Sequence, residues 1–150
     1  MIQVQRLASE AVLAVGQGRS LTPALNALWT RKRALSPAQR GAIQDLAFGT
    51  CRWRGTLQAS LEALLHKPLA HPQLHALLLV ALYQLEWTRA PAHACTAEST
   101  TACAAIRQPG AKGLANAVLR NFLRQRAQIL AHACTAESTT ACAGARVHSS

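Results

Sequence analysis

The chain is poor in carboxylates. Six Asp and Glu stand against sixteen Lys and Arg in 150 residues, a formal charge of +10. Glu10, Asp45, Glu62, Glu86, Glu98 and Glu137 are the whole set, and no two lie at helical spacing. A carboxylate pair for general acid–base work is therefore missing. Val and Ile are scarce beside Ala and Leu, which excludes a sheet-dominated fold and favours helix. Gly16 and Gly18 form an isolated G-x-G with no strand ahead of it, and no phosphate-loop fingerprint occurs, so the glycines read as a helix stop. The longest apolar run, AHPQLHALLLVALYQL, is interrupted by His and Pro and is too short to span a bilayer. The five cysteines make no disulfide framework, and no secretory apolar segment follows a basic one. A soluble, cytoplasmic chain without membrane contact is expected.

A metal site built on His and Cys is disfavoured by geometry. His93 and Cys95 lie two residues apart, about 200° around a helix, and cannot easily share an ion. No base can be paired with any Cys as a nucleophile. Neither metal nor cofactor is expected, and the chain reads as a binder rather than an enzyme.

What the chain does have is guanidinium. Thirteen of the sixteen cations are Arg, the three Lys being Lys32, Lys67 and Lys112. Arg presents a planar fork suited to phosphate, so the bias points to nucleic acid ahead of generic surface charge.

Apolar periodicity predicts a first helix from Ile2 to Val15, then a second capped by Ser20 and running through Trp29. Ser36-Pro37-Ala38-Gln39 supplies a helix start with Ser as N-cap, Pro at the first position and Gln three residues on. That helix ends or bends near Trp53, and Leu57, Leu61, Leu64 and Leu65 mark another. Leu74 to Leu85 is apolar nearly all round, which places it at the centre. Cys95 to Ile106 and Gly113 to Leu130 complete seven short helices, the last with Leu114, Val118, Phe122 and Leu123 inward. An all-α bundle follows.

AHACTAESTTACA occurs twice without mismatch, at Ala92–Ala104 and Ala131–Ala143. Two identical copies with unrelated flanks are a recent duplication or a sequence artefact, not a solenoid. The domain is accordingly expected over residues 1–130, with 131–150 a duplicated segment and tail.

Three basic groups are candidate RNA contacts. Lys112, Asn116, Arg120 and Arg124 follow one another at four-residue spacing with no carboxylate up to Arg126 to relieve them. Arg31, Lys32 and Arg33 lie beside Trp29, and Arg52 and Arg54 flank Trp53, a pattern suited to phosphate contact with base stacking. The two Trp also fit core positions. Arg6 joins the same surface if the first helix lies alongside.

GRSL, AIQDLAFGTCRWRG, KPL, HALLLVALYQLEWTRAPAHA and KGLANAVLRNFLRQR, in that order, resemble the N-terminal domain of bacterial small-subunit ribosomal RNA cytosine-5 methyltransferases. That domain is similar to the transcription antitermination factor NusB. The resemblance covers Gln5 to Leu130 and implies a compact NusB-like RNA-binding fold. It departs after PAHA, where Ala97 stands in place of the usual Asn and Thr replaces aliphatic residues. The family's catalytic half, which binds S-adenosylmethionine and uses Cys nucleophiles, matches nothing here, as in a truncated or frameshifted product, so no Cys inherits that role. Three functions stay open: a non-catalytic rRNA-docking domain, a free-standing antitermination factor with a ribosomal or transcription protein partner, and a helical protein–protein adaptor.

Overall fold

The computed structural model describes residues 3–140. Among the described residues the elements are seven α-helices and one 3-10 turn, and no strand occurs among them. They are α1 (Gln3–Gly16), α2 (Leu21–Arg31), α3 (Pro37–Arg52), α4 (Arg54–Leu64), α5 (Pro72–Trp87), α6 (Ala92–Ala105) and α7 (Lys112–Thr140), with the turn at Pro109–Ala111. The expected all-α bundle is what forms. None of these helices is long and apolar enough to cross a membrane.

α5 is the axle. Leu74, the unbroken run Ala76 to Tyr83, and Leu85 are all buried. A helix apolar on every side can be satisfied only by neighbours on every side, and α1, α3, α4, α6 and α7 all pack on it. α1 contributes Leu7, Ala8, Ala11 and Val12, and α7 contributes Ala115, Val118, Leu119 and Phe122.

Two joints are written in local chemistry. Ser36 Oγ accepts from the Gln39 N–H at 3.1 Å, and Gln39 Oε1 accepts from the Ser36 N–H at 2.9 Å, a complete capping box behind Pro37. α1 ends where Gly18 takes φ +98°, with Gly18 N–H on the Val15 carbonyl and Arg19 N–H on that of Ala14, both at 3.0 Å. That pair of bonds is a Schellman ending, and the positive φ is why glycine serves there.

Several local expectations need correction. Ser20 sits at the N-cap of α2 but makes no side-chain capping bond. Leu114 is 39% exposed, not inward. The buried face of α7 centres on 115, 118, 119 and 122, which leaves 114 and 123 on opposite flanks about 90° away, and only Leu123 finds the core. The last helix does not stop at Leu130 but continues to Thr140, with a non-helical Gln125 (φ −115°, ψ 21°) bending it. Ile129 and Ala133 are buried beyond that bend. The second repeat copy thus starts inside α7, and its end, with the tail, lies outside the described residues.

Candidate nucleic-acid interface

The first half of α7 buries one face, and the polar residues left at four-residue steps come to line a groove against α6. Lys112, Asn116 and Arg120 form one wall, and His93, Thr96 and Thr100 of α6 the other, around 720 Å³ of open space. Among the described residues no carboxylate lines it. Lys112 and Arg120 are exposed, and neither enters an ion pair among the described residues. Thr96 and Thr100 donate their hydroxyls to the carbonyls of Ala92 (3.1 Å) and Ala97 (3.0 Å), so their oxygens still face outward as acceptors. Arg124 lies one turn further on, exposed, with its guanidinium on Asn121 Oδ1. The α6 side of this groove was not foreseen from sequence, because its residues are neutral and belong to the repeated segment.

Arg126 has a different place. Its Nε approaches Glu86 Oε1 to 3.0 Å, off the line of a hydrogen bond, while Nη2 donates to the Leu85 carbonyl at 3.3 Å. Its guanidinium also lies 5.8 Å from the centre of the Phe122 ring. Burial raises the Glu86 pKa, and Arg126 pulls it the other way.

The second basic group is partly neutralised. α1 and α2 pack together, so Arg6 and Arg31 do meet, but they meet on Glu10. Arg6 Nη1 donates to one carboxylate oxygen at 3.3 Å and Arg31 Nη2 to the other at 2.8 Å. Lys32 caps α2 through its backbone N–H, and the exposed Arg33 donates to the Thr30 carbonyl at 3.4 Å. Trp29 packs on the core with the Arg40 guanidinium 5.7 Å from its ring centre.

The arginines flanking Trp53 part company. Trp53 is the joint between α3 and α4, and its ring stacks on Trp87 at 4.9 Å, which in turn stacks on Tyr83 at 5.7 Å. Arg52 is exposed and lies over the outer ring, 5.9 Å from the Trp53 centre. Arg54 turns into a cavity beside Gly16. Tyr83 reaches its place only because α3 carries Gly49, where an added Cβ would overlap the phenol. The structure therefore gathers Lys112, Asn116 and Arg120, leaves Arg124 beyond them, ties Arg6 and Arg31 to a carboxylate, and separates Arg52 from Arg54.

The three described thiols are not activated. Burial, with Glu98 adding to it, pushes Cys95 up to about 11, and burial likewise raises Cys51 and Cys103. All three stay protonated at neutral pH, the wrong form for a nucleophile. His93 is exposed where Cys95 is buried, so the two do point apart. Among the described residues no cluster of His, Cys and carboxylates is placed to hold a metal.

Comparison with known proteins places this geometry in context. A model described as the NusB family matches residues 2–124. The chain is 42% identical over 130 residues to a protein of Serratia proteamaculans named ribosomal RNA small subunit methyltransferase B, covering 83% of this chain and 30% of that one. It is 44% identical over 126 residues to the protein of the same name from Pseudomonas syringae pv. tomato, covering 82% and 28%. The chain therefore spans about 30% of the length of these relatives, at their N-terminal end.

Proposed function

This chain belongs to the NusB family, and from that premise we propose that it is a non-catalytic RNA-binding domain that docks ribosomal RNA in the basic groove between α6 and α7. One observation carries the reading: the groove pairs Lys112 and Arg120 with hydroxyl and amide groups and, among the described residues, contains no acid. Eight residues of helix separate those two cations by about 12 Å, with Asn116 midway. Phosphates would sit on the cations, while the amide and the threonine oxygens would meet base edges or 2′-hydroxyls. Methyl transfer belongs to the part of the relatives that this chain does not span.

Titrating labelled rRNA fragments at several salt concentrations tests this. Affinity should fall steeply as salt rises, with a slope near 0.7 per phosphate contacted on a single strand. Arg120→Glu with Arg124→Glu should weaken binding by about tenfold or more without lowering the melting temperature. Unchanged affinity would remove this groove from the interface. A saturable preference for a boxA-like RNA would favour an antitermination factor instead, and no binding at low salt would leave a protein adaptor.

A further inference from the structure

A second cavity lies away from the α6–α7 groove, between the end of α1, the length of α4 and the start of α5. It encloses 640 Å³, within the range of small-molecule sites. Its walls are mixed, with Leu13, Leu61, Leu65, Leu69, Pro68 and Pro72 interleaved with Gln17, Gln58, Glu62, His66 and His75. Into this space the fold directs one guanidinium. Arg54 is half-buried, its Nη1 is sealed from solvent without a hydrogen-bond acceptor, and among the described residues no carboxylate pairs with it. Gly16 makes the room, since a Cβ there would come within 3.2 Å of Arg54 Nη2.

The one described acid on the wall, Glu62, makes no ion pair with Arg54 and takes a hydrogen bond from Gln58 Nε2 at 2.8 Å. His75, across the cavity, has its pKa lowered, first by burial and then by Arg54 itself. It is therefore a neutral ring at pH 7, able to donate or accept but not to balance a cation. A half-buried guanidinium with no ion-pair partner is placed to donate a charge-assisted hydrogen bond to an anion.

We propose that this cavity binds a nucleoside monophosphate unit, with the phosphate compensating Arg54 and the base between the leucines. The Gln58–Glu62 pair and His75 supply the mixed donors and acceptors that a base edge requires. Lys67, at the rim, adds a second cation for the phosphate. The unit could arrive free or as the 5′-phosphorylated end of an RNA, and the same chemistry serves both sources. A free nucleotide binds here whether or not the α6–α7 groove binds RNA.

Isothermal titration of the full chain with AMP, GMP, CMP and UMP, and with a short RNA bearing either a 5′-phosphate or a 5′-hydroxyl, tests the assignment. At least one monophosphate should bind with a 1:1 stoichiometry, and its nucleoside should bind about tenfold or more weakly. Arg54→Gln should cost a similar factor. Leu69→Trp, which fills the cavity without touching a charge, should abolish binding even if the first variant proves unstable. Arg120→Glu with Arg124→Glu should leave nucleotide binding intact, which separates this site from the groove. A preference for the 5′-phosphorylated RNA over free nucleotide assigns the site to an RNA end, and the reverse assigns it to a metabolite. Absence of heat with every monophosphate at millimolar concentration, or equal affinity for nucleotide and nucleoside, overturns the proposal.

Discussion

Gly49 and Glu98 are each decided by one neighbour. Gly49 gives up its side chain so that Tyr83 can lie against α3, and Gly49→Ala would force the phenol out of a packed aromatic stack. Overpacking of this kind costs about 1–3 kcal/mol, which urea unfolding should show as a lower midpoint with an unchanged slope. Glu98 of α6 accepts the Gln5 backbone N–H at 2.9 Å, one of the first-turn donors that α1 cannot satisfy itself. Burial raises the Glu98 pKa, with the Gln5 bond opposing. The folded chain then keeps the proton over a range in which the unfolded chain, near about 4.3, has lost it. Its contribution to stability is thus whole below that value and lost as pH climbs through the folded one. Glu98→Gln keeps an acceptor and removes the titration, so its melting temperature should gain on the parent as pH rises above about 4. A difference that stays flat with pH would refute the assignment.

At the scale of the element, the two Schellman endings make a controlled pair. α6 closes like α1, with Arg107 N–H on the Ala104 carbonyl at 3.0 Å and Gln108 N–H on that of Cys103 at 2.7 Å. Here the left-handed residue is Arg107, at φ +64°, where α1 has glycine. A side chain in that region costs about 1–2 kcal/mol, part of which glycine returns through its greater freedom when unfolded. Arg107→Gly should therefore stabilise by about 0.5–1 kcal/mol in chemical denaturation, and a loss of stability would contradict the strain. Where elements begin was legible wherever the signal is local. Ser36-Pro37-Ala38-Gln39 announces α3 because the capping bonds span only three residues. Gln125 announces nothing, since no proline or glycine marks the bend in α7, and the helix then continues to Thr140. Leu114 misled for a related reason: on a flank position, burial is settled by whether a neighbouring helix happens to cover it.

For the whole molecule, the excess of cations was plain in the sequence, but their distribution was not. Periodicity could align Lys112, Asn116 and Arg120, because one helix carries all three. It could not pair Arg6 and Arg31 with Glu10, or draw Arg54 away from Arg52, because those relations cross between helices. The Glu10 pairing has a global consequence. Glu10→Gln would raise the formal charge from +10 by one unit and release two guanidinium groups. RNA affinity at low salt should rise and the salt dependence steepen by about 0.7 for each cation that gains a phosphate, at a stability cost of about 1 kcal/mol or less. Identical salt slopes for parent and variant would show that this end of the molecule never meets the polyanion.

A shaft that is oily around its full circumference has no preferred azimuth, and α5 is such a shaft. Among the contacts that fix its rotation are the Tyr83 ring set in the notch at Gly49, and the amide of Gln84, which accepts from Gln5 Nε2 at 2.6 Å. Tyr83→Leu together with Gln84→Leu would remove both and extend the greasy surface of the spindle. Such a chain should keep its helical circular dichroism yet lose the sharp side-chain resonances of a single packed core.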